Sequence, residues 1–317
     1  MNLPSRQIAM QSPRLFEEFR LAAARPERVR EVMVVGSAYD SVLASDFTYV
    51  STPITSGAAL YRAMDAVGVS TLEELRRDKD LFRSLVMDVN MAAAEKVAHA
   101  MLSFGGAVIA PAAFEARSLD WDQDAYMGLW LDTIERKATR IAMVDGWEYS
   151  NGGAEEYLQA LLMQAGRRDR NDIEIVDARG DVLMHADALM LLAAAVDDLA
   201  TRGFEPITLL RTLHRASVLH GMVEDEGKYG QLADRCGRTL FSVSRSYGAA
   251  CARGDLRQAI RTARSQVAPA MHMLPESEVR ITSSLDMAPG LLRQDSRQEL
   301  SEARAKVLKA GEEDAGS

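Results

Sequence analysis

Leu81, Leu85, Val89 and Ala93 recur every fourth residue inside the segment from Thr71 to Phe104. That spacing predicts helix. Thr71 followed by Glu74 has the form of a capping box at its start, and Gly105-Gly106 ends it. Other apolar stretches are short and rich in β-branched residues. Phe47–Ser51, Ala107–Ala110, Arg140–Val144 and Asp172–Val176 read as strands. Between them, Thr55–Gly57 is a turn that opens a helix, Gln123–Lys137 is helical, Gly146–Gly153 is a loop and Ala154–Ala165 is helical. Residues 29–36 fit strand and helix equally. Residues 12–24 read as a short helix with Ser12 as N-cap and Pro13 in its first position.

Strands that alternate with helices predict an α/β fold. The expectation is a Rossmann-like or flavodoxin-like parallel sheet with helices on both faces, followed by an all-α region. Ligands of such sheets bind beyond the carboxyl ends of the strands, so the loops 52–57, 111–122 and 145–153 are the ones to inspect. After Gly180 the strand pattern stops. Residues 182–202, 206–222, 228–252 and 255–267 read as helices, and 296–310 as one more before the acidic run Glu312-Glu313-Asp314. The organisation predicted is an N-terminal helical extension (1–44), an α/β domain (45–180), an all-α domain (181–275) and a polar tail (276–317).

A net charge of -9 over 317 residues opposes a broad surface for nucleic-acid polymers or anionic membranes. A single phosphate held by backbone amides stays compatible with it. Cys236 and Cys251 are the only cysteines, too few for a disulfide framework. The richest apolar stretch, Val182 to Ala200, is interrupted by His185, Asp187, Asp197 and Asp198 and reads as a buried helix. The first residues lack the pattern of a signal peptide. A soluble, cytoplasmic protein is expected. His99, His185, His214, His220 and His272 show no metal-ligand spacing, and no metal or cofactor is called for. Glu224-Asp225-Glu226 reads as a loop charge cluster, and Met184, Met190 and Met222 as helix-core packing.

One loop stands apart. Asp145-Gly146-Trp147-Glu148-Tyr149-Ser150-Asn151-Gly152-Gly153 precedes a helix whose first turn carries Glu156. Glycines and a serine before a helix expose backbone N–H groups at its positive end, which suits an anion. An ionised Glu beside them suits a glycosidic reaction, as nucleophile or as stabiliser of an oxocarbenium-like sugar. The same residues also fit an ordinary helix cap.

The run Ser150, Gly152, Glu156, Ala160, after IAMVDGWEYS, resembles the nucleoside 2-deoxyribosyltransferase superfamily, and within it the nucleoside 5′-monophosphate N-glycosidase branch with its GWExSxGxxxE loop. The resemblance covers roughly residues 45–180. It implies that Glu156 attacks the anomeric carbon while the base leaves. It implies that Asp132, 18 residues before Ser150, assists the sugar hydroxyl or the base. Tyr49, Ser51, Thr52, Pro53 and Ile54 match the first strand and its ligand-binding turn, and Trp147, Ser150, Asn151 and Gly152 the second. Thr52 departs from the family's glycine, and Thr55 stands where phosphate-binding members can carry Arg. Ala110–Phe114 resembles the base-side loop, with Trp121 and Tyr126 near it. Base-exchanging members place Asp where Ser150 stands, and an Asp would repel a phosphate. The expectation is therefore hydrolysis of the N-glycosidic bond of a (deoxy)nucleoside 5′-monophosphate. Base exchange, or nucleotide sensing without turnover, is the alternative. The implied partners are a small nucleotide or nucleoside and a second copy of the chain, as homodimer or higher homo-oligomer.

Overall fold

A computed structural model describes residues 26–42, 46–114, 121, 123–166, 173–204 and 206–223. The expected helices at 12–24, 228–252, 255–267 and 296–310, both cysteines, His272 and the Glu224–Glu226 cluster lie outside the described residues. The ambiguous segment 29–36 falls inside a helix, α1 (Pro26–Val42). Strand β1 (Phe47–Ser51) follows. It leads into α2 (Gly57–Val67), which ends on Gly68 in the left-handed region at φ 79°.

The expected single helix from Thr71 to Phe104 is broken into pieces. α3 (Leu72–Arg77) carries the capping box, both of whose hydrogen bonds form. Asp78 then caps α4 (Lys79–Phe82) by accepting from the Leu81 N–H. A π-helical turn (Arg83–Met87) runs into α5 (Asp88–Leu102). A period of four in the apolar residues cannot distinguish one helix from several that share a face. The Asp78 carboxylate, which caps in mid-segment, is what interrupts it.

β2 (Ala107–Ile109), α6 (Gln123–Lys137), β3 (Ala138–Met143), α7 (Asn151–Gly166) and β4 (Glu174–Val176) complete the α/β alternation. α8 (His185–Arg202) and α9 (Ile207–Val223) follow. The four strands are all parallel, in the order β2-β1-β3-β4. No helix among the described residues is long and apolar enough to cross a membrane.

Side chains along the strands alternate between two helical layers. Val50, Ala142, Val144 and Val176 pack with Val97 and Met101 of α5 on one face. Phe47, Tyr49, Ile141, Met143 and Ile175 point the other way, into a larger core with α6, α7, α8 and α9. The chain moves outward from β1 to β2, then crosses back over β1 to β3 and β4. Crossovers of one hand must then place α5 on one face and α6 and α7 on the other. The consequence is a crevice between β1 and β3, where the loops leave in opposite directions.

The large core continues without a break from the sheet into α8 and α9, through Leu192, Val196, Leu210 and Leu213. Met184 is a correction to the expected core methionines: it stands before the first residue of α8 and is 61% exposed.

Candidate functional site

The carboxyl ends of β1 and β3 frame the candidate site. Tyr49 and Ser51 are two apart on β1, so both face the α6–α7 layer. Both are completely buried. Glu156 enters the same space from α7. The Tyr49 hydroxyl donates to Glu156 Oε1 at 2.7 Å, and the Ser51 hydroxyl donates to Oε2 at 2.5 Å. Both carboxylate oxygens are thus held by hydroxyls more than 100 residues away in sequence. Burial pushes the Glu156 carboxyl up to about 7, and the Ser51 and Tyr49 hydrogen bonds pull against that rise. Burial, then the Glu156 charge, raises the Tyr49 phenol well above its usual value. Tyr49 is therefore a proton donor to Glu156 and not a phenolate.

The β3–α7 loop is ordered by its own backbone. Gly146 has φ 88° and caps a 3₁₀ turn over Trp147–Tyr149. A Cβ on Gly146 would stand 2.9 Å from Ala58 Cβ and 3.1 Å from its backbone nitrogen. The Gly146 carbonyl accepts from the Ala58 N–H at 3.3 Å, so this loop is joined to the start of α2. Ser150 is extended and accepts twice from α7: the Gly153 N–H donates to its hydroxyl and the Ala154 N–H to its carbonyl. That is N-cap geometry. α7 therefore starts at Asn151, three residues before the expected Ala154. The Ser56 hydroxyl also donates to Ser150 Oγ, at 3.0 Å. With both lone pairs of that oxygen used, its own proton is left to donate. The Asn151 and Gly152 N–H groups precede the first intrahelical bonds, and both residues line the cavity that opens here.

Loop 52–56 forms the opposite wall. Asn90 of α5 is buried, and its amide donates to the Ile54 and Ser56 carbonyls at 3.1 and 3.0 Å. These bonds tie the loop to the far side of the sheet.

A cavity of about 680 Å³ opens between these walls. Of the residues expected from sequence, Thr52, Pro53, Ile54, Ser150, Asn151, Gly152 and Glu156 line it. Tyr49 and Ser51 stand behind Glu156 and hold it. Trp147 is buried against Tyr157, with ring centroids 5.0 Å apart, and supports the loop from behind.

Asp132 is placed elsewhere. The cavity face of α6 is Gln123, Tyr126, Met127 and Trp130, at helical spacing. Asp132 lies two residues beyond Trp130, about 200° around the helix axis. It pairs with Arg136 at 3.0 Å, and its Oδ2 would stand 3.8 Å from a Cβ on Gly36 of α1. A count of 18 residues back to a helix does not specify its phase, and here the phase presents Trp130 to the cavity instead.

Trp121 and Tyr126, expected near the base-side loop, line the cavity with their ring centroids 5.3 Å apart. Several other cavity residues carried no sequence signal. Glu155, also at the wall, accepts from Thr212 of α9 at 3.0 Å. Thr208, Leu209 and Arg211 of α9 and Leu199 of α8 close one side, and Arg76 of α3 reaches the same space. Ser56, directly before the helix-opening Gly57, had a local cue.

Residues 85–165 match a family described as a domain of unknown function, DUF4406. The matched stretch runs from the π-helical turn to the last turn of α7. It contains the β3–α7 loop and Glu156 and omits β1. No curated protein and no solved structure matches the chain.

Proposed function

We propose that this chain cleaves the N-glycosidic bond of a (deoxy)nucleoside 5′-phosphate, with Glu156 as nucleophile. The observation that carries this reading is the Glu156 carboxylate. It is buried, oriented by Tyr49 and Ser51, and opens into a nucleotide-sized cavity at the β1–β3 crevice. The resemblance of the Ser150–Gly152–Glu156 run to the nucleotide N-glycosidases supports the same assignment.

The chemistry follows from the positions. Trp121, Tyr126 and Trp130 offer apolar faces for a base. The phosphate sits on the Asn151 and Gly152 N–H groups and the Ser150 hydroxyl, at the positive end of α7. The sugar then lies across Glu156. A carboxylate oxygen of Glu156 forms a bond to C1′ as the C1′–N bond breaks. The electron pair leaves with the base, which takes a proton from water. Water then attacks C1′, the sugar phosphate departs, and the carboxylate is regenerated with release of a proton. Glu156 attacks only when ionised, so the rate rises with pH through about 7.

The test is release of free base and (deoxy)ribose 5-phosphate from a panel of nucleoside monophosphates, followed chromatographically. Wild-type protein should release both, and Glu156→Ala should lose at least 10³-fold in rate on the order of other nucleophile removals. Equal rates in the two proteins overturn the assigned role. Adding a free acceptor base separates hydrolysis from exchange, since exchange yields a new nucleotide.

A second reading, nucleotide binding without turnover, is favoured by one observation. Among the described residues, α6 presents Trp130 and not a carboxylate to the cavity, so it offers the leaving base no acid. Stabilisation by nucleotides with no base released would select it.

A further inference from the structure

Two arginines face the cavity from outside the loops that frame Glu156. Arg76 lies on α3 and Arg211 on α9, and both are solvent-exposed at the cavity wall. The Arg76 guanidinium stands 5.3 Å from the Phe82 ring centroid, which props it without neutralising it. Among the described residues neither arginine makes an ion pair. Arg136, Arg140, Arg179 and Arg202 all do. In a chain of net charge -9, these two guanidinium groups are the exposed positive charges of a cavity whose carboxylates, Glu155 and Glu156, are buried.

The first phosphate does not need them. The α7 N-terminus and Ser150, whose oxygen accepts from Ser56, already make a neutral hydrogen-bonding cradle next to Glu156. The arginines stand on elements other than those of that cradle, Arg76 on α3 and Arg211 on α9, and line the same cavity. We infer that Arg76 and Arg211 form a second anion subsite, which holds a phosphoryl group beyond the first, so that the substrate class is a nucleoside diphosphate or an ester of one. This rests on the nucleotide reading of the cavity. Guanidinium forks bind phosphoryl oxygens in pairs, and each pair is a contact that a monophosphate lacks.

The experiment uses the full chain with Glu156→Gln to prevent turnover. Calorimetry compares 2′-deoxynucleoside mono- and diphosphates of the four bases. The diphosphate of the preferred base should bind roughly tenfold more tightly than its monophosphate. Adding Arg76→Gln and Arg211→Gln should abolish that advantage while monophosphate affinity stays within about twofold. The advantage should also shrink as NaCl is raised. Equal binding of mono- and diphosphate overturns the inference and leaves the proposed function standing. Equal weakening of both ligands in the arginine variants also overturns it, because the arginines then hold the first phosphate. No binding of any monophosphate overturns the nucleotide reading and this inference together. Unchanged thermal unfolding of the variants shows that the fold is intact.

Discussion

Glu156 carries a cost that its neighbours partly offset. Its carboxyl titrates near 7 in the folded chain and near 4.5 when unfolded. Below pH 4.5 both states are protonated and burial costs nothing extra. As pH rises from 4.5 to 7 the unfolded chain ionises first, so stability is lost across that window. The full penalty, on the order of 3 kcal/mol, holds above pH 7. Glu156→Gln should therefore be more stable than wild type at pH 8, with the gap closing by pH 5. Thermal unfolding of both proteins across that range checks it. Tyr49→Phe removes a hydroxyl that donates to the carboxylate. A hydrogen bond to a charged group contributes about 1.5–3 kcal/mol, so the midpoint of the pH–rate profile should move up by roughly one to two units. The same shift should appear with Ser51→Ala, and an unmoved midpoint in either variant would remove that residue from the positioning of Glu156. In the sequence Glu156 was legible from its loop, whereas the roles of Tyr49 and Ser51 as its holders were not. Residues 107 and 105 positions apart meet only through the register of β1 against β3.

Short elements position the site, and their end signals are local. The Thr71–Glu74 box is complete in the structure, and it starts the helix that carries Arg76. Thr71→Ala should cost about 1 kcal/mol, the usual loss for an N-cap, measurable by urea unfolding. Gly146 is the more severe case. At φ 88° with a Cβ 2.9 Å from Ala58, alanine there meets both backbone strain and a clash. Gly146→Ala should destabilise by roughly 1–3 kcal/mol and reduce nucleotide binding, because the loop and α2 move apart. Unchanged unfolding and binding would show that the loop tolerates the shift. The capping box and the glycine-rich loop could be read from adjacent residues. The break of the 71–104 run and the phase of α6 could not, since periodicity reports a shared face and not its continuity or its orientation.

α8 and α9, the described part of the expected all-α half, share one core with the α/β part. Leu210 of α9 is fully buried in the same cluster as Tyr157 of α7 and Ile141 of β3. The three tryptophans, Trp121, Trp130 and Trp147, all belong to the α/β part. Leu210→Ala should cost about 2–5 kcal/mol, and the tryptophan fluorescence transition should move by that whole amount. A tryptophan transition that stays in place would mean that α8 and α9 unfold separately. The α7–α9 contact also has a pH signature. Burial and the neighbouring His185 push His220 down to about 3, and the Tyr157 hydroxyl lies 3.2 Å from its Nε2. The unfolded imidazole takes up its proton near 6.5. The folded chain therefore loses stability as pH falls from 6.5 toward 3, opposite in sign to Glu156.

Alternating strand and helix patterns, with a glycine-rich loop ahead of an acidic helix, were enough to imply a parallel α/β sheet and to point to Glu156. Those features are written in neighbouring residues, because strand period, helix period and capping act over a few positions. The holders of the carboxylate, the exchange of Trp130 for Asp132 at the cavity, and the wall supplied by α8 and α9 depend on how distant elements pack. Strand register, helix phase and the shared core settle them, and none of these is encoded in any one stretch of chain. The Ser150–Glu156 loop is legible in the sequence; the cavity it faces takes one side from α8 and α9, which only tertiary packing brings there.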